Sequence, residues 1–356
     1  MSNAAENQNK NITADTSAPE SAADTVDAFL PEFLTVSPSP HIRAYVTTRT
    51  VMLDVCIALI PALVWGIYIF GWRALTLTLV SVISAVLSEF LYRKIMKKSN
   101  TVLDFSAVVT GLLLALNLPV SVPLWMPAIG SVFAIVVVKQ LFGGIGKNFM
   151  NPALAARVFL FAWPSYMNAY PTPGTAMSPI SVGAPDVVAS ATPLVSLKGG
   201  ALPESASLFD ALIGYEAGCI GEVSALLLTA GFVYLLVRRI VTWHIPVAYI
   251  GTVFVLALIF PQGANALDFA LWQILSGGLF IGAIFMATDY STSPVTSRGR
   301  IIYGIGCGVL TVLIRYFGAY AEGVSFSILI MNLLVWYLDF YTKPTKFGGA
   351  KHGKTK

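Results

Sequence analysis

Few side chains in this sequence could do chemistry, and most of them stand inside or beside long apolar runs. Thr192 is different: it lies in the polar stretch Asp186-Val187-Val188-Ala189-Ser190-Ala191-Thr192-Pro193-Leu194. β-Branched and small residues there predict an extended, exposed segment, and the proline after Thr192 disfavours helix at that position. Small neighbours leave its hydroxyl open to a phosphoryl-linked group, delivered by a modifying enzyme whose metal ion neutralises the phosphate. On spacing alone the same residues read first as an ordinary polar loop.

A second stretch, Gly143-Gly144-Ile145-Gly146-Lys147-Asn148-Phe149-Met150-Asn151-Pro152, joins two apolar runs. Asn151-Pro152 predicts an N-cap followed by proline at the first helical position. Gly143 and Gly144 permit close backbone approach, and amides exposed at a helix start would seat an anionic or carbonyl-bearing ligand. The bland alternative is a tight turn. No strand precedes these glycines and the dinucleotide-binding spacing is absent.

Ionisable residues within apolar runs cost roughly 2.5–3.5 kcal/mol each at a membrane helix centre. Asp54 stands near the end of its run and reads as solvated, while Glu89 stands four residues before Arg93 and reads as its partner. Arg157, one turn into a run broken by Pro164, either snorkels to the surface or faces a phosphate or ring carbonyl of a bound ligand. Asp289 lies at a run's end, as a solvated cap or on an ion path. Cys56, Cys219 and Cys307 are far apart and unaccompanied, which excludes an iron–sulfur cluster or zinc site built by this chain alone.

The elements that position these residues are membrane helices. Charged residues are 11% and hydrophobic ones 56% of 356 residues, with a mean hydropathy of +0.74, so little room is left for a soluble domain. No basic patch interleaves with aromatics, so nucleic acid is not an expected partner; membrane lipid is. Residues 1–40 read as a disordered tail without the pattern of a cleaved signal peptide. Runs at 51–70, 74–92, 102–118, 122–142, 219–237, 245–261, 267–287, 301–318 and 324–341 each suit a span, and 152–169 is a broken tenth.

Basic residues settle the count. With the loop Arg93-Lys94-Ile95-Met96-Lys97-Lys98 cytoplasmic, ten spans place Lys147, Arg238, Arg239, Arg298, Arg300 and the 343–356 tail on the same side. Nine would put the later charges outside. The expected protein is therefore an all-α polytopic one with about ten transmembrane helices and both termini cytoplasmic. Its five-helix halves, 41–169 and 219–342, would form an inverted repeat, and 170–218 an outer-face loop. Gly278 with Gly282, and Gly304 with Gly308, have the spacing of close helix packing.

Four stretches carry a resemblance. Val136 to Ala153 closely resembles the fourth-to-fifth span junction of the NqrB/RnfD family, and Ser37-Pro38-Ser39-Pro40-His41-Ile42-Arg43 and Tyr68 to Leu75 are similar to it as well. Asp186 to Leu194 looks like the flavin-attachment motif Asp-x-x-Ser-Gly-Ala-Thr, matched at Asp186, Ala191 and Thr192; Ala189 and Ser190 are small-for-small departures. The likeness covers residues 37 to about 341. It implies a bacterial inner-membrane, flavin-carrying subunit of the Rnf ferredoxin:NAD oxidoreductase, not catalytic alone. FMN would be held as a phosphoester on Thr192 by a flavin transferase. Electron transfer through that FMN would drive Na⁺ or H⁺ translocation. The other Rnf subunits (A, B, C, E and G) are the implied partners. By the same likeness the 143–152 junction would help bind the flavin or a separate riboflavin. Two rivals are an NqrB-type component of a sodium-pumping NADH:quinone oxidoreductase and a cofactor-free ten-helix transporter.

Overall fold

Long apolar runs become helices here because the bilayer leaves the backbone no other partner for its N–H and C=O groups. The computed structural model describes residues 46–174, 179, 189–190 (backbone only), 192–200, 203, 207–222, 224–262, 265–318, 320 and 322–344. The tail 1–40, Asp186, Ala191, the Ser190 side chain and the end of the basic tail lie outside the described residues.

Helix α1, Thr48–Phe70, starts at a capping box between Thr47 and Thr50 and runs through Pro61. Gly71, at φ +77°, turns the chain directly into α2, Trp72–Ile95. There follow α3, Ser106–Leu116, and α4, Trp125–Val132, which continues as a π-helical stretch over Phe133–Gln140. The tenth expected span is two short helices, α5 (Pro152–Leu160) and α6 (Pro164–Met167), separated just before Pro164. A two-residue ladder pairs β1, Tyr170–Pro171, with β2, Ala189–Ser190. Small helices α7 (Pro193–Lys198) and α8 (Leu208–Ile213) precede the second set: α9 (Ala225–Val237), α10 (His244–Ile259) and α11 (Ala266–Leu275). Then come α12 (Leu279–Ile281), continuing as a π-helical stretch Gly282–Met286, α13 (Ser297–Phe317) and α14 (Val324–Thr342).

Each expected span coincides with one of these helices or helix pairs, and the polytopic all-α class holds. Among the described residues, only α1, α2, α13 and α14 are long and apolar enough for a full crossing, with α11 and α12 as a fifth if that pair, bent by 61°, counts as one span. In those four, 33–39% of the apolar window is buried, so most of each helix is left to lipid or partner chains.

The broken and short spans leave irregular backbone deep in the bundle. Helix α3 is 11 residues, about 16 Å, so Asn117 lies roughly halfway through a 30 Å hydrocarbon layer. Non-helical chain at that depth persists only if buried in protein. Here the Leu116 and Leu118 carbonyls accept from the Gly221 and Ile220 amides at 2.6 and 3.1 Å. Arg73, wholly buried, donates to the Val120 and Val122 carbonyls, both at 2.9 Å.

Apolar side chains gain little by leaving lipid, so close backbone approach takes over. A Cβ on Gly304 would stand 2.9 Å from the Ile245 carbonyl, and one on Gly308 2.6 Å from Thr252 Cβ, which accounts for the tight α10–α13 pair. Gly282 likewise abuts Val324.

The bundle has two unlike ends. At the basic end Arg93 reaches over Gly144, Arg238 meets Asp54, and Arg300 meets Thr242. At the opposite, loop end Trp65 Nε1 donates to the Ile213 carbonyl, Gly174 to Ile69, and Lys198 to Gly318.

Candidate functional site

Near the basic end, α2 and the π-helical stretch after α4 bring Glu89 and Lys139 together. Lys139 Nζ donates to Glu89 Oε2 at 2.7 Å and to Ser106 Oγ at 2.6 Å. The other Glu89 oxygen accepts from Gln140 and Thr101 at 3.0 and 2.8 Å. Arg93, the expected partner, stands 3.8 Å away and is secondary. The helix places i and i+4 on one face, but the buried ammonium from another helix comes closer. Asp54 also departs from expectation: it is buried, accepting from Tyr234 OH at 2.8 Å and from Arg238 at 3.0 Å.

Beside Lys139 is a cavity that opens in part to solvent. Its polar side is formed by Ser106, Lys139, Asn148, Asn151 and Asp289, and Val55, Leu113 and Phe285 belong to its apolar wall. Asn151 caps α5 as expected, accepting from the Ala153 and Leu154 amides, and its Nδ2 donates to the Met286 carbonyl at 3.2 Å. The glycines take the turn reading and not the ligand-seating one. The Gly143 and Gly144 amides close on the carbonyls of Gln140 and Lys139 at 3.1 and 3.0 Å, so they end the preceding helix and present no donors to a ligand. Their φ values of +112° and +94° explain the residue type. Asp289 accepts from Ser291 and Thr292 hydroxyls, the cap its neighbours suggested, and it also lines the cavity.

Arg157 neither snorkels nor stands free. It is 1% exposed and donates through Nη1 to Asn117 Oδ1 at 3.0 Å and Ser325 Oγ at 3.2 Å. Its Nη2 meets Glu322 Oε2, Cys219 Sγ at 3.4 Å and Glu222 Oε1 at 3.6 Å. The cluster thus joins the first half, through α5 and the end of α3, to the second, through the chain before α9 and around the start of α14. Glu222, Glu322 and Lys139 were not singled out from sequence. Each is an ionisable side chain in apolar surroundings, the signal that could have found them.

Thr192 is the N-cap of α7 and its side chain makes no cap hydrogen bond. Contrary to the expected open hydroxyl, the residue is buried at 5% exposure. The cause is α7 itself: Leu194 and Leu197 pack with Phe269, Ala270 and Trp272 of α11, and Leu194 presses on Gly277. Thr192 is therefore at the loop end, and the cavity at the basic end; the structure does not bring the expected flavin residues into one site.

Comparison with known proteins decides the family. A family match spans residues 35–348. The chain belongs to the NQR2, RnfD, RnfE family. Among relatives within this family, it is 48% identical over 322 residues to the D subunit of the Na⁺-translocating ferredoxin:NAD⁺ oxidoreductase complex of Acetobacterium woodii, covering 89% of this chain and 96% of the relative. It is 41% identical to the D subunit of the proton-translocating ferredoxin:NAD⁺ oxidoreductase complex of Clostridium ljungdahlii, covering 88% and 96%. It is 34% identical to the D subunit of the ion-translocating oxidoreductase complex of Escherichia coli O17:K52:H18, covering 89% and 99%.

Proposed function

We propose that the chain is the flavin-carrying membrane component, the D subunit, of an Rnf-type ion-translocating ferredoxin:NAD oxidoreductase, acting as one part of that enzyme and not alone. The observation that carries this is similarity over nearly the whole length, 89% of this chain and 96% of the relative, to a protein named as that component. The names of two relatives specify different ions, sodium and protons, so the translocated ion here is Na⁺ or H⁺. The A, B, C, E and G subunits are the proposed partners. The basic end faces the cytoplasm of a bacterial inner membrane, with both termini on that side.

FMN is proposed on Thr192 as a phosphoester. In support, the Thr192 side chain makes no cap hydrogen bond and sits on a helix held to the second half by Leu194 and Leu197. A second, non-covalent riboflavin suits the basic-end cavity. Asn148 Oδ1 there is buried without a hydrogen-bond partner, and the mixed apolar and polar walls match a flat ring with polar edges. A bound flavin supplies the electron-transfer chemistry, while Asn148 and Asn151 would bind its polar edge and Phe285 the ring face.

Mass spectrometry of the peptide containing Thr192, from complex matured with its flavin transferase, tests the attachment. The expected result is a flavin-phosphoryl adduct and in-gel flavin fluorescence that survives denaturation and vanishes in Thr192→Ala. A bare Thr192 in such protein overturns it. The names of the relatives favour Rnf over an NqrB-type quinone reductase, and identification of the electron acceptor separates the two.

A further inference from the structure

The Arg157 cluster carries a charge imbalance. One buried cation faces two buried acids, Glu222 and Glu322. Extending the count to the next ionisable groups adds one of each sign. Arg315 donates to Gln273 Oε1 at 3.0 Å and to the Ser276 carbonyl at 3.3 Å, and Ser276 Oγ donates to Glu216 Oε1 at 3.3 Å. Were every one of these groups ionised, two cations would face three acids, with one negative charge in excess. The buried Tyr170 and Cys219, both within electrostatic reach of Arg157, are neutral in their ordinary forms and leave the count unchanged. An uncompensated charge at this depth is strongly unfavourable.

A carboxyl oxygen of Glu222 and one of Glu322 lie within 4.8 Å of each other, beside the same guanidinium. Two carboxylates so close do not both ionise. A separate observation points to a missing ligand. Glu222 Oε1 and Glu322 Oε1 have no hydrogen-bond partner, although both residues are only 7% exposed. A carboxylate oxygen from each and Cys219 Sγ lie within 4.8 Å of one another, so acids and thiol close on one small space.

The chemistry of that space selects among cations. A sodium ion, like other hard cations, needs several oxygen ligands. Two neutral oxygens of the cluster, Asn117 Oδ1 and Ser325 Oγ, already accept from Arg157 Nη1, and Cys219 offers a soft sulfur. A proton needs only the two carboxyls.

We infer that Glu222 and Glu322 share one exchangeable proton, held against Arg157 at the seam between the two halves, as a proton-binding station within the membrane. On uptake one carboxyl gains an O–H bond and donates it to the other carboxylate; on release the proton leaves and the cluster returns to a net charge of −1. This deepens the proposed ion-coupling role and rests on it for its physiological meaning.

Infrared difference spectroscopy of the assembled complex in lipid nanodiscs reads a protonated carboxyl directly, through a C=O stretch that shifts in D₂O. One such band is expected near neutral pH, lost in Glu222→Gln and in Glu322→Gln and displaced but kept in Glu222→Asp. In the unmodified complex, sodium added at constant pH is expected to leave the band in place. A spectrum without the band, a band that survives both glutamine variants, or a band abolished by sodium each overturns the assignment, the last by giving the site to sodium. The reading at Thr192 fails separately: a complex lacking covalent flavin that still shows the band keeps the proton site.

Discussion

Glu89 and Glu322 are both buried acids met by a cation from the first half of the chain, yet their surroundings differ. Glu89 meets one buried ammonium and is further satisfied by Gln140 and Thr101. Glu322 shares its one close guanidinium with Glu222 and keeps an unpartnered oxygen. The first cluster is closed within α2–α4 and the π-helical stretch that follows; in the second, Arg157 and Glu322 are 165 residues apart in sequence. Contact number alone would call both structural. Charge balance separates them: the neutral pair is a fastening, whereas the 2:1 cluster is incomplete without a further cation.

The comparison breaks most readily at Arg157. Arg157→Met leaves two acids at depth without their cation and is expected to cost about 3–5 kcal/mol, measured as loss of thermal stability in detergent. If the cost is within error, the cluster is wetter than described. The same substitution at the two acids sharpens the contrast. Glu89→Gln strands the Lys139 ammonium, which is 2% exposed, and is expected to cost about 3 kcal/mol. Glu222→Gln removes only surplus charge and is expected to stay within about 1 kcal/mol. Equal losses would erase the distinction.

Packing at the seam of α10 and α13 is expected to matter less. Gly308→Leu drives a side chain into Thr252 and should cost about 1–3 kcal/mol, seen in the same thermal assay. The smallest effect is expected at α8. The Ser207 amide and hydroxyl hold the Asp210 carboxyl below the usual carboxylate range. Its folded value is depressed, so the stabilisation is present above the unfolded value of about 3.9 and is lost as pH falls through the folded value. Amide-exchange protection across α8 should fall with acid in that window, and Asp210→Asn should flatten the dependence.

Much of this was legible in the sequence. Long apolar runs located the helices, Asn151-Pro152 announced the start of α5, and Pro164 announced its end. Local patterns could not reveal partners that lie far apart in sequence. Glu222 stands near the start of the 219–237 run and Glu322 between two runs, and only the folded chain brings them 65 and 165 residues back to Arg157. The bend between α11 and α12 was hidden inside an unbroken apolar run, although Gly277, at φ +76°, makes the turn. The burial of Thr192 was missed because its own neighbours are small. Leu194 and Leu197, on the following turns, pull it down.

On the proposed attachment, that last feature would set a schedule for biogenesis. An enzyme that modifies Thr192 would have to reach it before α7 seats, so modification would compete with folding. Slowing insertion or weakening the Leu194 and Leu197 contacts would lengthen the interval in which the hydroxyl can be reached. A chain that folded first would lock itself out of maturation, and the cell's supply of transferase during synthesis would then fix the fraction of working complexes.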